Sequence, residues 1–220
     1  GDELFGGYMR YLIMCLDGKP DPVPEELKGY TTLLDRFFSR GTSMDEADRY
    51  MRLVQKNDNP LDLLNPAMTD GFSAGDAASM FREKYSNIKA PTVYDRATEF
   101  DRRFLLPALL QVEDRTSMAV SIESRVPLLD YRLAEFNASL PSSLKFRGMT
   151  PKYLLKKAAE GVVPPEILNR KNKMGFPVPL TKWYKNELKD FISDLVFASK
   201  SGIFDVGKVR QALAGEKDYD

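Results

Sequence analysis

The chain contains no histidine. That absence removes Ser-His-Asp and Cys-His nucleophilic catalysis, zinc sites built on imidazole and any histidine proton shuttle. Chemistry here has to run on carboxylates, lysines, backbone amides or a bound ion. Cysteine is nearly as scarce. Cys15 stands alone, so no disulfide can form within the chain, which fits a reducing compartment. It lies in the apolar run Tyr11–Leu16 and is expected to fill core rather than act as a nucleophile. No apolar run approaches the ~18 residues of a membrane span. Net charge is also missing: Lys plus Arg and Asp plus Glu number 32 each, so no overall field draws nucleic acid or a membrane surface. Alternating strand patterns, hairpin turn pairs, fixed-period repeats and low-complexity tracts are absent as well.

What is present is helical periodicity over 220 residues, 43% of them apolar, enough for one large domain or two small ones. Leu4, Phe5, Tyr8, Tyr11, Leu12 and Cys15 predict a helix begun by Asp2, with Gly6-Gly7 inside it. Two glycines in a helix destabilise it by roughly 1 kcal/mol each, so the pair predicts a close approach there. Gly18–Pro24 and residues 57–72 read as loops within one domain. Thr92 opens a long helical region through Leu110, which Pro107 should kink or divide. Asp130 and Asp205 are placed to cap helices. Thr150-Pro151 supplies a cap and a first-turn proline ahead of Lys152. Leu180, Tyr184, Leu188, Phe191 and Leu195 predict one longer helix. Trp183 is expected in the core. The fold class is mainly α, as a single helical domain over 1–220.

Four stretches could carry chemistry. Glu113–Asp130 sets Glu123 and Arg125 two apart among Met118, Val120, Ile122, Val126 and Leu128, with Pro127 expected to stop the helix. Charges inside an apolar frame are unfavourable unless paired, so this is either a buried ion pair or the wall of a polar site. Asp2-Glu3 beside Gly6-Gly7 could hold a hard cation, or be merely an acidic first turn. Lys152 at a helix start could serve a phosphate, or be a solvated lysine. Asn169–Pro179 places Arg170, Lys171 and Lys173 in a Gly/Pro-stiffened loop. That suits polyphosphate, or is an exposed basic turn.

Together these stretches resemble the asparagine synthetase family, in the C-terminal part of its synthetase domain. GDELFGGYMRY at residues 1–11 is similar to the end of the family's Ser-Gly-Glu-Gly-x-Asp-Glu-Leu-Phe-Gly-Gly-Tyr motif. FDRRFLLPALLQVEDRTSMAVSIESRVPLLDYRLAEF resembles its middle block, and PKYLLKKAAEGVVPPEILNRKNKMGFPVPLTKW its C-terminal block. The likeness is dense over 1–11 and 100–184 and loose elsewhere. It implies the helical portion of an adenine nucleotide alpha hydrolase-like (PP-loop ATP pyrophosphatase) domain, lacking that domain's parallel sheet. It also implies a cytoplasmic ligase of asparagine biosynthesis, a glutamine amidotransferase. ATP and Mg²⁺ adenylate the aspartate side chain, and ammonia from a glutaminase domain then gives asparagine, AMP and pyrophosphate.

Carried over by the resemblance, Asp2 helps hold Mg²⁺–pyrophosphate, Lys173 contacts the phosphates and Lys152 lies near the same site, these two lysines being the catalytic pair. Arg170 joins them in nucleotide binding, while Glu123 and Arg125 shape the pocket. The run Arg170–Lys173 is one residue longer than the usual Arg-x-Lys, so Lys171 rivals Lys173. The family's N-terminal cysteine, glutaminase domain and Ser-Gly-Gly-x-Asp-Ser loop are not in this chain, and its catalytic glutamate would fall three residues before Asp2. The chain is therefore expected to be a piece of a longer protein, inactive alone. Two other readings stay open: a relative amidating another carboxylate in a glycan, peptide or β-lactam pathway, and a non-catalytic helical interaction module. Binding of nucleic acid or a membrane is not expected, and the oligomeric state, a homodimer included, is left open.

Overall fold

The computed structural model describes residues 1–39, 44–55, 61–170 and 178–214. Among them every regular element is a helix, with only two isolated β-bridges. No helix among them is long and apolar enough to cross a membrane. The chain falls into two compact units, Gly1–Lys56 with Ser79–Asn169, and Asn57–Ala78 with Arg170–Asp220.

The first unit is organised around α2 (Met9–Met14), preceded by α1 (Asp2–Phe5). The single helix expected over this stretch is broken in two. Gly6 takes a left-handed φ of 67° and ends α1, and the Gly7 N–H donates to the Asp2 carbonyl at 2.9 Å. The close approach predicted at the two glycines is present. A Cβ at Gly6 would lie 1.7 Å from the Tyr94 hydroxyl, and one at Gly7 would lie 1.8 Å from Asp2 Oδ1. Beyond the break Tyr11, Leu12, Ile13 and Met14 are all buried, as in a helix that is apolar all round. Cys15 lies at its exposed end, not in the core, with its thiol donating to the Tyr11 carbonyl one turn back.

Around α2 pack α3 (Thr31–Phe38), α4 (Glu46–Val54), the Ser79–Ser86 part of α5 (Ala74–Ser86) and α6 (Val93–Phe100). They bury Leu34, Phe37, Tyr50, Leu53, Tyr85, Tyr94 and Phe100 against it. Each such burial stabilises by about 1.5–3 kcal/mol. Thr92 caps α6 by accepting from the Asp95 N–H. Pro107 divides the long helical region as expected. After α6 comes one π-helical turn, Asp101–Leu105, and α7 (Leu106–Met118) then starts with Pro107 in its first turn, where a missing N–H is harmless. The unit continues through α8 (Tyr131–Ser139, capped by Asp130), α9 (Ser142–Lys145), α10 (Tyr153–Ala158) and α11 (Pro165–Leu168).

A polar clamp ties α4 to α6. Arg96 grips Glu46 through Nε to Oε1 at 2.7 Å and Nη2 to Oε2 at 2.6 Å, and the Tyr85 hydroxyl donates to Oε1 at 2.8 Å. The Arg96 hydrogen bonds outweigh partial burial and hold the Glu46 carboxyl below its ordinary 4.5. A carboxyl lowered by folding contributes stability that is full above its ordinary value and is lost as pH falls through the lowered one. Urea midpoints of Glu46→Gln are therefore expected to fall less steeply than those of the parent as pH drops below 4.5.

In the second unit the expected helix through Leu180–Leu195 is two, α12 (Leu180–Lys185) and α13 (Lys189–Ala198). Asn186 leaves helical geometry, and its side-chain amide donates to the Lys182 carbonyl. Trp183 is 38% exposed, so it is not the core residue expected. α14 (Val206–Ala214) follows Asp205, whose carboxylate accepts from the Lys208 N–H. The Asn65 N–H to Ile203 carbonyl and Asp205 N–H to Leu63 carbonyl bonds stitch the 61–68 turn to the residues before α14.

Candidate active site

Two of the residues singled out by sequence meet. Lys152 Nζ forms an ion pair with Asp2 Oδ1, both side chains being about a quarter exposed, at 27% and 26%. The way Lys152 is presented differs from the expectation. Thr150 does not cap a helix that contains Lys152. Instead Thr150 and Arg147 exchange backbone hydrogen bonds across a turn with Gly148 at positive φ, and the helix begins only at Tyr153. Lys152 is left just outside it, in the left-handed region at φ 56°, ψ 32°. For an L-residue that conformation is unfavourable by about 1–2 kcal/mol. Strain of this kind persists where the surroundings over-determine it, and it gathers at functional sites. Gly7 closes the third side: a Cβ there would sit 2.2 Å from Lys152 Cε. The first turn of α1, the glycine after it and the residue before α10 thus share one small space.

Behind this pair the charges are buried and bonded. Glu3, 3% exposed, accepts from the Tyr8 hydroxyl at 2.7 Å. Burial by itself would raise the Glu3 carboxyl, but the Tyr8 hydrogen bond and backbone donation more than offset it and leave it below its ordinary range. Burial and the neighbouring Glu3 push the Tyr8 phenol up, so it stays a donor. The Arg10 guanidinium lies over the Tyr8 ring, 3.9 Å from its centroid, and reaches Asp101 Oδ2 through Nε at 3.0 Å and Nη2 at 2.5 Å. The Tyr11 hydroxyl donates to the same oxygen at 2.6 Å, and Tyr50 receives a longer bond from Arg10 Nε. Burial works against the Arg10 charge, and Tyr50 and Asp101 overcome it, so Arg10 is held cationic more firmly than usual.

The other candidates fall differently. Glu123 and Arg125 do pair, at 2.8 Å, but their side chains are 67% and 79% exposed. This corrects the picture of charges held inside an apolar frame. α7 ends at Met118, nine residues before Pro127, and Ser121 turns the chain at positive φ. Met118, Val120, Ile122, Val126 and Leu128 lie on the surface of the unit, so water solvates the charges between them. No buried pair is formed there. Arg170 belongs to the second unit and is exposed. Lys171 and Lys173 lie outside the described residues. Arg10, Tyr8 and Asp101 were not singled out by sequence. The glycines and tyrosine of the first motif were a usable signal for Tyr8, whereas Asp101, inside Phe-Asp-Arg-Arg-Phe, reads as a surface charge.

The comparisons with known proteins bear on this arrangement. The asparagine synthase family model matches residues 1–220, the whole chain. The chain belongs to that family. It is similar to glutamine-hydrolysing asparagine synthetase 1 of Bacillus subtilis. The two are 32% identical over 228 residues, covering 92% of this chain and 33% of that protein. Asparagine synthetase 3 of the same organism is 42% identical over 73 residues, covering 33% of this chain and 11% of its own. The Gallus gallus asparagine synthetase is 34% identical over 116 residues, or 49% of this chain and 20% of its own. The chain spans about a third of the Bacillus subtilis relative it matches along most of its length. No solved structure matches at a significant level.

Proposed function

We propose that this chain is the helical C-terminal part of an ATP-dependent, glutamine-hydrolysing asparagine synthetase. In this reading both units belong to one synthetase domain of the PP-loop type, which works with a glutaminase domain supplying ammonia. The side-chain carboxylate of aspartate is adenylated with loss of pyrophosphate, and ammonia displaces AMP to give asparagine.

The observation that carries the reading is the Asp2–Lys152 pair packed against Gly7. Lys152 is a compact cation on a flexible stem, suited to the oxygens of a departing diphosphate. Its left-handed backbone and the Asp2 contact fix where that charge stands before substrate arrives, so little reorganisation is needed when charge develops. Among the described residues no group of three or more Asp, Glu, Cys or His side chains is placed to hold a metal ion. A single carboxylate fits a different arrangement, in which Mg²⁺ enters on the phosphates and is shared with the protein through one or two carboxylates. Asp2 would be that ligand, and the ion would neutralise phosphate charge when bound. Lys173 and Arg170 are proposed as phosphate contacts on the family resemblance alone.

The test is product identity in the intact protein. With ATP labelled in the α-phosphate, aspartate and ammonia, labelled AMP and asparagine are expected in equal amounts. Labelled ADP would overturn the reaction class, and AMP formed only with a different carboxylic acid would overturn aspartate as acceptor.

A further inference from the structure

Asp101 is the most deeply buried carboxylate described, 1% exposed, and nothing in the proposed chemistry uses it. It is the first residue of the π-helical turn between α6 and α7. Its neighbours in that turn point elsewhere, Arg102 and Arg103 both pairing with Glu99 on the preceding helix. π turns add a residue to the helical ladder and recur at functional sites. Here the turn delivers one carboxylate into the core, where a single oxygen accepts three bonds from Arg10 and Tyr11.

A line of direct contacts runs from that oxygen to the candidate site. Asp101 holds Arg10, the Arg10 guanidinium lies on the Tyr8 ring, the Tyr8 hydroxyl holds Glu3, and Glu3 is the chain neighbour of Asp2. Every member lies within the first unit. Between Glu3 and Tyr8, Leu4 and Phe5 are buried and anchor α1, while Gly6 and Gly7 contribute no side chains to fix the turn after it. The guanidinium plate is fixed from behind by a carboxylate and in front by a ring, so it can set where the segment stands.

We propose that Asp101, through Arg10, is a positioning residue that sets Asp2 against Lys152 for the phosphate chemistry. This rests on the assignment of Asp2 and Lys152 made under the proposed function. A buried ion pair with a purely structural role would lower stability in proportion to its loss and leave the surviving folded enzyme unchanged, whereas a positioning role couples Asp101 to Asp2 specifically.

The experiment is a double-mutant cycle in the intact protein with Asp2→Asn, Asp101→Asn and both together. It reads kcat, KM for ATP, melting temperature, and calorimetric binding of pyrophosphate in the presence of Mg²⁺. Asp101→Asn is expected to lower kcat by about tenfold to a hundredfold, the scale of a small misplacement of catalytic groups, and to weaken pyrophosphate binding while KM for ATP changes little. In the Asp2→Asn background the same change is expected to cost less than about twofold more, because coupled residues are not additive. Tyr11→Phe, which keeps the ring and removes one of the three bonds, is expected to give a smaller loss of kcat that also vanishes in the Asp2→Asn background. It stands as the test if Asp101→Asn does not fold. Additive losses, or full kcat in Asp101→Asn, would overturn the positioning role alone. Full kcat in Asp2→Asn would overturn both it and the site assignment beneath it.

Discussion

Lys152→Gly in the intact protein is expected to lose about a hundredfold to a thousandfold in kcat, the usual effect of removing one preorganised stabiliser of developing charge. It should do so without loss of stability. Lys152 is held at φ 56°, where glycine meets no Cβ penalty. Relief of that strain, about 1–2 kcal/mol, opposes the loss of a partly exposed ion pair worth about 0–1 kcal/mol. The variant should therefore melt at or above the parent temperature while releasing almost no pyrophosphate. Lys152→Ala would lose activity equally but keep the strained backbone and lose the pair, so it should melt lower than Lys152→Gly. Pyrophosphate release and thermal melting on the same samples decide the matter. If Lys152→Gly keeps its activity, or if its activity falls only in step with its stability, Lys152 is a structural residue and not part of the chemistry.

Gly6→Ala should be among the most destabilising single-methyl additions in the first unit. Two penalties combine there. The left-handed φ of 67° is unfavourable for alanine by about 1–2 kcal/mol. The new Cβ would fall 1.7 Å from the Tyr94 hydroxyl, and overpacking of a core contact adds about 1–3 kcal/mol. Urea unfolding should show a loss of roughly 2–5 kcal/mol from the two together. Tyr94→Phe separates them. The Tyr94 hydroxyl is buried without a hydrogen-bond partner among the described residues, so removing it should not destabilise and can stabilise. In that background Gly6→Ala should retain the backbone penalty and a reduced overlap, since the ring Cζ would still lie 2.9 Å from the new Cβ. A Gly6→Ala loss that is the same with Tyr94 or Phe at position 94 would show that the contact contributes nothing.

Much of the helical architecture is legible in the chain because its cues are local. Thr92, Asp130 and Asp205 cap helices where their side chains can reach the next free N–H, and Pro107 divides the helical region at the place its ring requires. Gly6-Gly7 announces a close approach, and both glycines have one. The family resemblance named Asp2 and Lys152, which turn out to touch. What local pattern does not reveal is which side of a segment is covered. The stretch around Glu123 and Arg125 has the same spacing of apolar and charged residues whether it is packed upon or solvated, and it is solvated. The backbone of Lys152 is set by the Arg147–Thr150 turn and by a partner near the other end of the unit, neither of which the cap-and-proline pattern encodes. Asp101 is hidden for the same reason: its burial depends on Arg10, Tyr11 and Tyr50, three residues distant in sequence.

The Asp2–Lys152 contact joins the first turn of the first unit to a residue near that unit's end, with helices α2 to α9 between them in the chain. Helical turns form early from neighbours, while the meeting of such distant residues waits for loop closure and is slow. The contact is therefore a clasp that fastens only when assembly is finished. On the function proposed above, a nascent or half-folded chain has helices but no place for the leaving diphosphate, and cannot consume nucleotide until Lys152 has been synthesised and brought home.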